Sequence, residues 1–202
     1  SDAFLHISVD ASGSMSGSKW DNTMTSVVAI LKAVDMISNV DVSVSFRSTH
    51  SSSRSYGGEN PLVLVGYDSR VDNFNKVKKM FPSIFPGGTT PEGLCFEALL
   101  KDMIPSSQNR DSYFLNLSDG MPMFSSSNFN YYNVEALNHT KSQVDNFRKM
   151  GIKVLSYFVG DSYDGDRNMT DFKTMYGKDA EFINLKNVTQ ISKTMNTKFL
   201  EK

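Results

Sequence analysis

The sequence predicts an α/β domain, a Rossmann-like open and mostly parallel sheet of about six strands with helices on both faces. Three observations predict it. Short apolar runs alternate with stretches of helical periodicity from one end of the chain to the other. Acidic or glycine-rich turns follow those runs, where an open α/β sheet places its ligand site. No repeat or linker interrupts the pattern, so residues 1–202 read as a single domain, long enough to bury a full core.

The elements follow in order. Phe4-Leu5-His6-Ile7-Ser8-Val9 is a buried strand that ends at Asp10. Trp20, Met24, Val27, Val28, Leu31, Val34 and Ile37 fall on one helical face. Val40 to Phe46 alternates as a strand, Ser48 to Gly58 reads as a polar loop, and Leu62 to Val65 as a short strand. Val71 to Phe81 is a weak helix and Pro82 to Thr90 a loop. Pro91 opens a helix carrying Leu94, Ala98, Leu99 and Met103. Tyr113 to Leu117 is a strand ending at Ser118-Asp119-Gly120, and Pro122 to Asn133 a long loop of aromatics and serines. Val134, Leu137, Val144 and Phe147 mark a helix, and Ile152 to Val159 a strand. An acidic loop, a short helix near Asp171, a strand at Phe182-Ile183 and a closing helix from Val188 to Leu200 complete the chain.

Composition narrows the function. A hydrophobic fraction of 39% and a charged fraction of 21% are those of a folded globular protein. The net charge of -1 gives no field for non-specific nucleic-acid binding. No apolar run approaches the roughly 20 residues that span a membrane. No secretory leader is legible at Ser1-Asp2-Ala3, and the missing initial methionine reads as an excised domain or processed product. The lone Cys95 cannot form an internal disulfide and points to a reducing, cytoplasmic setting. Asn-x-Ser/Thr triplets at Asn116, Asn138, Asn168 and Asn187 read as chance, since Asn116 lies inside a buried strand.

The residues that carry chemistry stand after the strands. Asp10-Ala11-Ser12-Gly13-Ser14 offers short oxygen side chains at alternate positions on a turn. Oxygen-only sets of this kind suit hard cations such as Mg²⁺. Asp119 follows the fourth strand, and Gly87-Gly88-Thr89-Thr90-Pro91-Glu92-Gly93 is a loop feeding a helix. Thr90-Pro91-Glu92 also makes a good helix start, so Thr90 is either a ligand or a cap, with Thr89 as the substitute ligand. Asp10 and Asp119 have a plainer reading as turn residues at strand ends. Asp161, Asp164, Asp166 and Asp171 lack EF-hand spacing and read as a solvated turn. His6, His50 and His139 show no ligand spacing and read as structural or surface residues. The aromatic loop Phe124 to Tyr132 follows Asp119 and is either a recognition surface or a packed loop.

Asp-x-Ser-x-Ser after the first strand, a Gly-Gly-Thr loop and a later Asp-Gly together resemble the metal-ion-dependent adhesion site of von Willebrand A (vWA) domains. The resemblance covers nearly the whole chain. It implies a vWA fold and one Mg²⁺ or Mn²⁺, with Ca²⁺ ranked behind them, at Asp10, Ser12, Ser14, Thr90 and Asp119. The implied partner is a protein whose Asp or Glu carboxylate fills the last coordination position. Val9-Asp10-Ala11-Ser12-Gly13-Ser14-Met15 and Leu117-Ser118-Asp119-Gly120-Met121-Pro122 are also similar to bacterial or phage cobalt-chelatase-type subunits. That likeness implies an AAA+ ATPase as a partner.

Enzyme motifs fail: Gly13-Ser14-Met15-Ser16-Gly17 centres on methionine, no Walker A or Gly-x-Gly-x-x-Gly run occurs, and Ser12 stands where a haloacid-dehalogenase phosphatase needs its second Asp. The expectation is a non-catalytic, metal-dependent binding module. The alternative is a hydrolase that uses a metal-bound water.

Overall fold

The structure, a computed structural model, describes residues 2–51, 59–126, 129–160 and 166–184. Its strands are β1 (Ala3–Asp10), β2 (Val40–Ser51), β3 (Glu59–Asp68), β4 (Asp111–Ser118), β5 (Phe124–Ser126), β6 (Phe129–Tyr131), β7 (Lys153–Gly160) and β8 (Glu181–Asn184). The main sheet runs in the order β3-β2-β1-β4-β7-β8. All neighbours in it pair in parallel except β2 and β3. The helices are α1 (Ser18–Asp35), α2 (Asn75–Met80), α3 (Glu92–Leu99), α4 (Asn133–Lys149) and α5 (Asp166–Tyr176).

Both faces of the sheet are covered. Leu5, Ile7, Val9, Val42, Val44, Leu115 and Leu117 form one core with Val27, Ile30 and Leu31 of α1 and Val77 of α2. On the other face Phe114 and Phe158 pack with Phe96 of α3, Val144 and Phe147 of α4, and Phe172 and Met175 of α5. That second face is unusually polar. The register aligns Ser45, Ser8, Asn116 and Ser156 in one row across β2, β1, β4 and β7. All four are buried. A strand buried on both faces need not read as continuous hydrophobe when small polar residues leave room for larger side chains on the helices.

Three readings of the sequence need correction. Residues 48–51 are not loop, because antiparallel pairing with β3 carries β2 through Ser51, opposite Glu59. The Pro122–Asn133 stretch contains a hairpin of β5 with β6, anchored by Phe124 and Tyr131 against Ala136 and Leu94. The weak helix at 71–81 shrinks to α2 and a 3-10 turn, Phe81–Ser83. Residues 52–58 of the polar loop, Asp161 and Asp164, Asn187 and the expected helix Val188 to Leu200 lie outside the described residues.

The chain order places the site. From β1 the chain crosses to β2 on one side and reaches β4 on the other, so the loops after β1 and β4 diverge and leave a crevice between them. Asp10 ends β1 and Asp119 directly follows β4, on the same edge.

Candidate functional site

Backbone hydrogen bonds bring the three motif loops together before any side chain is considered. Gly13 N–H donates to the Gly88 carbonyl (3.0 Å) and Gly87 N–H to the Ala11 carbonyl (2.8 Å), which ties the glycine loop to the first motif. Thr90 and Met123 pair in both directions, at 3.0 and 2.8 Å, which ties the same loop to the segment after Asp119. Gly88 is required here. Its φ is +75°, and a Cβ would meet the Thr49 carbonyl oxygen at 2.9 Å.

On this frame the side chains form a chain of oxygens. Ser12 Oγ and Ser14 Oγ are 3.1 Å apart, and Ser14 Oγ donates to Asp119 Oδ1 at 2.9 Å. Lys19 Nζ donates to Asp119 Oδ2 at 3.1 Å. Asp10 ties the strand ends to one another: Oδ1 accepts the Ser12 N–H (2.9 Å), Oδ2 accepts the Asp119 N–H (3.4 Å), and Ser118 Oγ lies 3.3 Å from Oδ2. Asp10, Ser12, Thr90 and Asp119 are buried, while Gly13 and Ser14 are exposed, so the cluster opens to solvent at Ser14. Burial and the nearby Asp10 push the Asp119 carboxyl up to about 6, against the opposing pull of its bonds from Lys19 and Ser14.

The two threonines separate cleanly. Thr89 Oγ1 donates to Glu59 Oε2 at 2.8 Å and its N–H to Thr49 Oγ1 at 2.8 Å, so Thr89 is turned to β2 and β3. Thr90 does not cap α3: Pro91 occupies the cap position and no side chain caps the helix. The plain turn reading of the two aspartates is also incomplete, since Asp119 bonds across 105 residues to Ser14.

The set fits a hard divalent cation by donor type, with two carboxylates and three hydroxyls, no sulfur and no imidazole. Among the described residues no three His, Cys, Asp or Glu side chains group as a metal site, so an ion here would depend on the hydroxyls. An apolar groove between α1 and the 74–86 segment, lined by Trp20, Met24, Phe81 and Phe85, begins beside the site at Ser16-Gly17 but includes none of these five residues.

Sequence reasoning missed a buried layer behind the site. Arg47 Nη2 pairs with Glu92 Oε1 at 2.8 Å, with both side chains at most 1% exposed. Arg47 Nη1 donates to Ser8 Oγ at 2.8 Å, and its guanidinium lies 5.1 Å from the Phe96 ring centre. Ser118 Oγ donates to Glu92 Oε1 at 2.6 Å, and the Tyr176 hydroxyl bonds Glu92 Oε2. Burial works against the Arg47 charge, but Glu92, Tyr176 and Asp10 outweigh it and hold the guanidinium above its ordinary value. Ser118 thus touches both Asp10 and Glu92, which joins the layer to the site. The legible signal was position: Arg47 is two residues beyond Ser45 on the buried polar face of β2, so it needed an anion.

No protein-family model matches the sequence, and no curated protein matches it significantly. Solved structures do match. The vWF domain of the type V pili tip protein Mfa5 from Porphyromonas gingivalis aligns at a TM-score of 0.71 with 9% identity, over 98% of this chain and 94% of that one. The chain has the von Willebrand A fold. A second match is the pilus adhesin SpaC from Lactobacillus rhamnosus GG, at a TM-score of 0.71 and 12% identity over 97% of this chain. This chain spans only 30% of SpaC's length. A third is manganese-loaded TRAP from Plasmodium vivax, at 0.57 and 13% identity over 94% of this chain and 71% of that one. No helix among the described residues is long and apolar enough to cross a membrane.

Proposed function

We propose that this vWA domain is a protein-binding module that holds one Mg²⁺ or Mn²⁺ and uses it to take a carboxylate from a partner protein. The observation that carries the reading is the Ser12–Ser14–Asp119 oxygen chain at the open edge of the sheet, backed by Asp10 and bordered by the Thr90 loop. Ser12, Ser14, Thr90 and Asp119 are the proposed direct ligands. Asp10 acts from behind, because both of its oxygens already accept hydrogen bonds that fix the loops. When bound, the ion supplies a Lewis-acidic position that favours one more anionic oxygen, and a partner's Asp or Glu provides it. The manganese-loaded structure of TRAP supports a divalent ion in this fold. Ca²⁺ ranks behind Mg²⁺ and Mn²⁺ because the proposed set offers only one direct carboxylate.

The hydrolase alternative needs a general base, and both carboxylates here are occupied in holding the site together. An AAA+ partner rests only on the wording of two sequence motifs, whereas the named neighbours include a pilus adhesin and a pilus tip protein. The cytoplasmic setting rested on Cys95. That thiol is fully buried, and burial pushes it up to about 12, so it would stay inert in an oxidising compartment as well. The neighbours therefore favour an adhesive role at a cell surface.

The test is calorimetric titration of Mg²⁺ and Mn²⁺ into the protein and into Asp10→Ala, with circular dichroism of both. The expected outcome is binding by the first and none by the folded variant. Equal binding by both would remove Asp10 from the site. Hydrolysis of a phosphoester panel by the Mg²⁺ form would favour the alternative.

A further inference from the structure

Lys19 is the feature of this site that the oxygen set does not explain. It stands in the first turn of α1, where a cation is disfavoured by the helix dipole. Its ammonium nevertheless reaches in to Asp119 Oδ2 at 3.1 Å, with the Lys19 side chain 19% exposed and that of Asp119 1%. The other oxygen of the same carboxylate takes the Ser14 hydroxyl. Lys19 is thus bonded to a residue proposed above as a direct ligand.

Charge counting shows what this does. Asp10 and Asp119 bring two negative charges, Lys19 returns one, and the buried Arg47–Glu92 pair behind them cancels itself. The site without an ion therefore carries one net negative charge, so Lys19 halves the net charge of the two aspartates. With a divalent ion in place, the same groups carry one net positive charge. A single carboxylate neutralises it. Without Lys19 the loaded site would already be neutral and would have far less electrostatic reason to capture an anion.

We propose that Lys19 is a specificity-determining residue that trades cation affinity for carboxylate capture: it competes with the divalent ion for Asp119 and supplies the surplus positive charge that makes the loaded site take one anionic side chain. This role rests on the metal-site reading above. It predicts two effects of opposite sign from one substitution, which loss of a purely structural contact would not produce.

The experiment compares wild type, Lys19→Met and Lys19→Arg in two titrations. Calorimetry with Mg²⁺ and Mn²⁺ reads cation affinity. Amide chemical shifts of the Mg²⁺-saturated protein, titrated with acetate and with acetamide as the uncharged control, read carboxylate capture. Lys19→Met should bind Mg²⁺ about tenfold more tightly, since a like charge within a few ångströms has gone. It should bind acetate about tenfold more weakly, with acetamide unchanged. Lys19→Arg should track wild type in both. If Lys19→Met does not fold, Lys19→Gln serves in its place. Mg²⁺ affinity that is unchanged or reduced in the neutral variant, or acetate affinity that is retained, would overturn the role of Lys19 alone. A wild-type protein that binds neither ion would remove the metal reading, and this role with it.

Discussion

Arg47→Met is the sharpest perturbation of the layer that supports the site. It leaves the aliphatic stem in place and deletes the guanidinium. What remains is the Glu92 carboxylate, fully buried, with the Ser118 and Tyr176 hydroxyls as its donors among the described residues, while Ser8 Oγ loses the Arg47 donor. The original pair need not be worth much in net terms, because burying both ions costs almost what their attraction returns. Removing one partner is different: an uncompensated buried charge costs about 3–5 kcal/mol. Loss of the Arg47–Phe96 stacking adds about 0.5–2 kcal/mol. Against a total stability of about 5–15 kcal/mol for a domain, this is enough to unfold a substantial fraction of molecules. Urea unfolding followed by circular dichroism measures it, with the slope checked for constancy. Adding Glu92→Gln removes the orphaned charge and should restore about 2 kcal/mol or more, so the two substitutions should be strongly non-additive. A loss under about 1 kcal/mol for Arg47→Met, or a double variant whose loss is the sum of the single losses, would refute the buried-pair account.

Two further outcomes test the site and its electrostatics. Thr90→Val should cost Mg²⁺ affinity about tenfold or more, and Thr89→Val should leave it near wild type, because the Thr89 hydroxyl is committed to Glu59; calorimetry on both variants checks this. The second outcome concerns pH in the presence of chelator. Burial lowers His6 from 6.5 to about 4, so its contribution is complete above 6.5 and is lost as pH falls toward 4, about 3 kcal/mol in all. Asp119 is raised from 3.8 to about 6, so its contribution is complete below 3.8 and is lost as pH rises through 6, in the opposite direction. The two oppose each other in wild type. Asp119→Asn should therefore unmask an acid-side loss of about 3 kcal/mol between pH 6.5 and 4, read from urea midpoints across that range. A profile in Asp119→Asn that parallels wild type would refute it.

What was legible in the sequence followed from covalent spacing. Leu5, Ile7 and Val9 alternate, Val27, Leu31 and Val34 recur at helical spacing, and Asp10 and Asp119 stand at or just past the ends of apolar runs, so the parallel sheet and the placement of these two aspartates could be read directly. The antiparallel direction of β3 could not, because strand direction depends on the path of the connection and not on the strand's own pattern. The hairpin β5–β6 was hidden because three-residue strands are too short to show a period. Thr90, three residues before Gly93, was favoured over Thr89 by the spacing of the resemblance, but the sequence could not show where the Thr89 hydroxyl goes. The Thr89 hydroxyl is bonded to Glu59, an acid on another strand that the local spacing does not reveal.

Arg47, Glu92 and Lys19 were hidden for a different reason. Charged residues are read as solvated by default, and for most chains that default is right. Here two features of the sequence oppose it jointly. The β2 alternation places Arg47 in line with Ser43 and Ser45, and a doubly covered sheet gives that line no access to water. Glu92 opens α3 directly behind a motif loop, so its carboxylate lies at the same edge as the strand ends. A buried cation and a buried anion brought to one edge have to pair. Ser118, which donates to Glu92 of that pair, lies 3.3 Å from the Asp10 carboxylate that holds the Ser12 turn. The expectation is that the positions of the proposed ligand oxygens depend on a pair that carries no ligand itself. On that dependence, the double variant Arg47→Met with Glu92→Gln should recover stability without recovering full Mg²⁺ affinity, because a neutral amide at position 92 cannot reproduce the charge-assisted bond from Ser118. Urea unfolding and calorimetry on the same preparation read the two quantities separately. Recovery of both to wild-type values would show that the layer supports the fold and leaves the site indifferent to it.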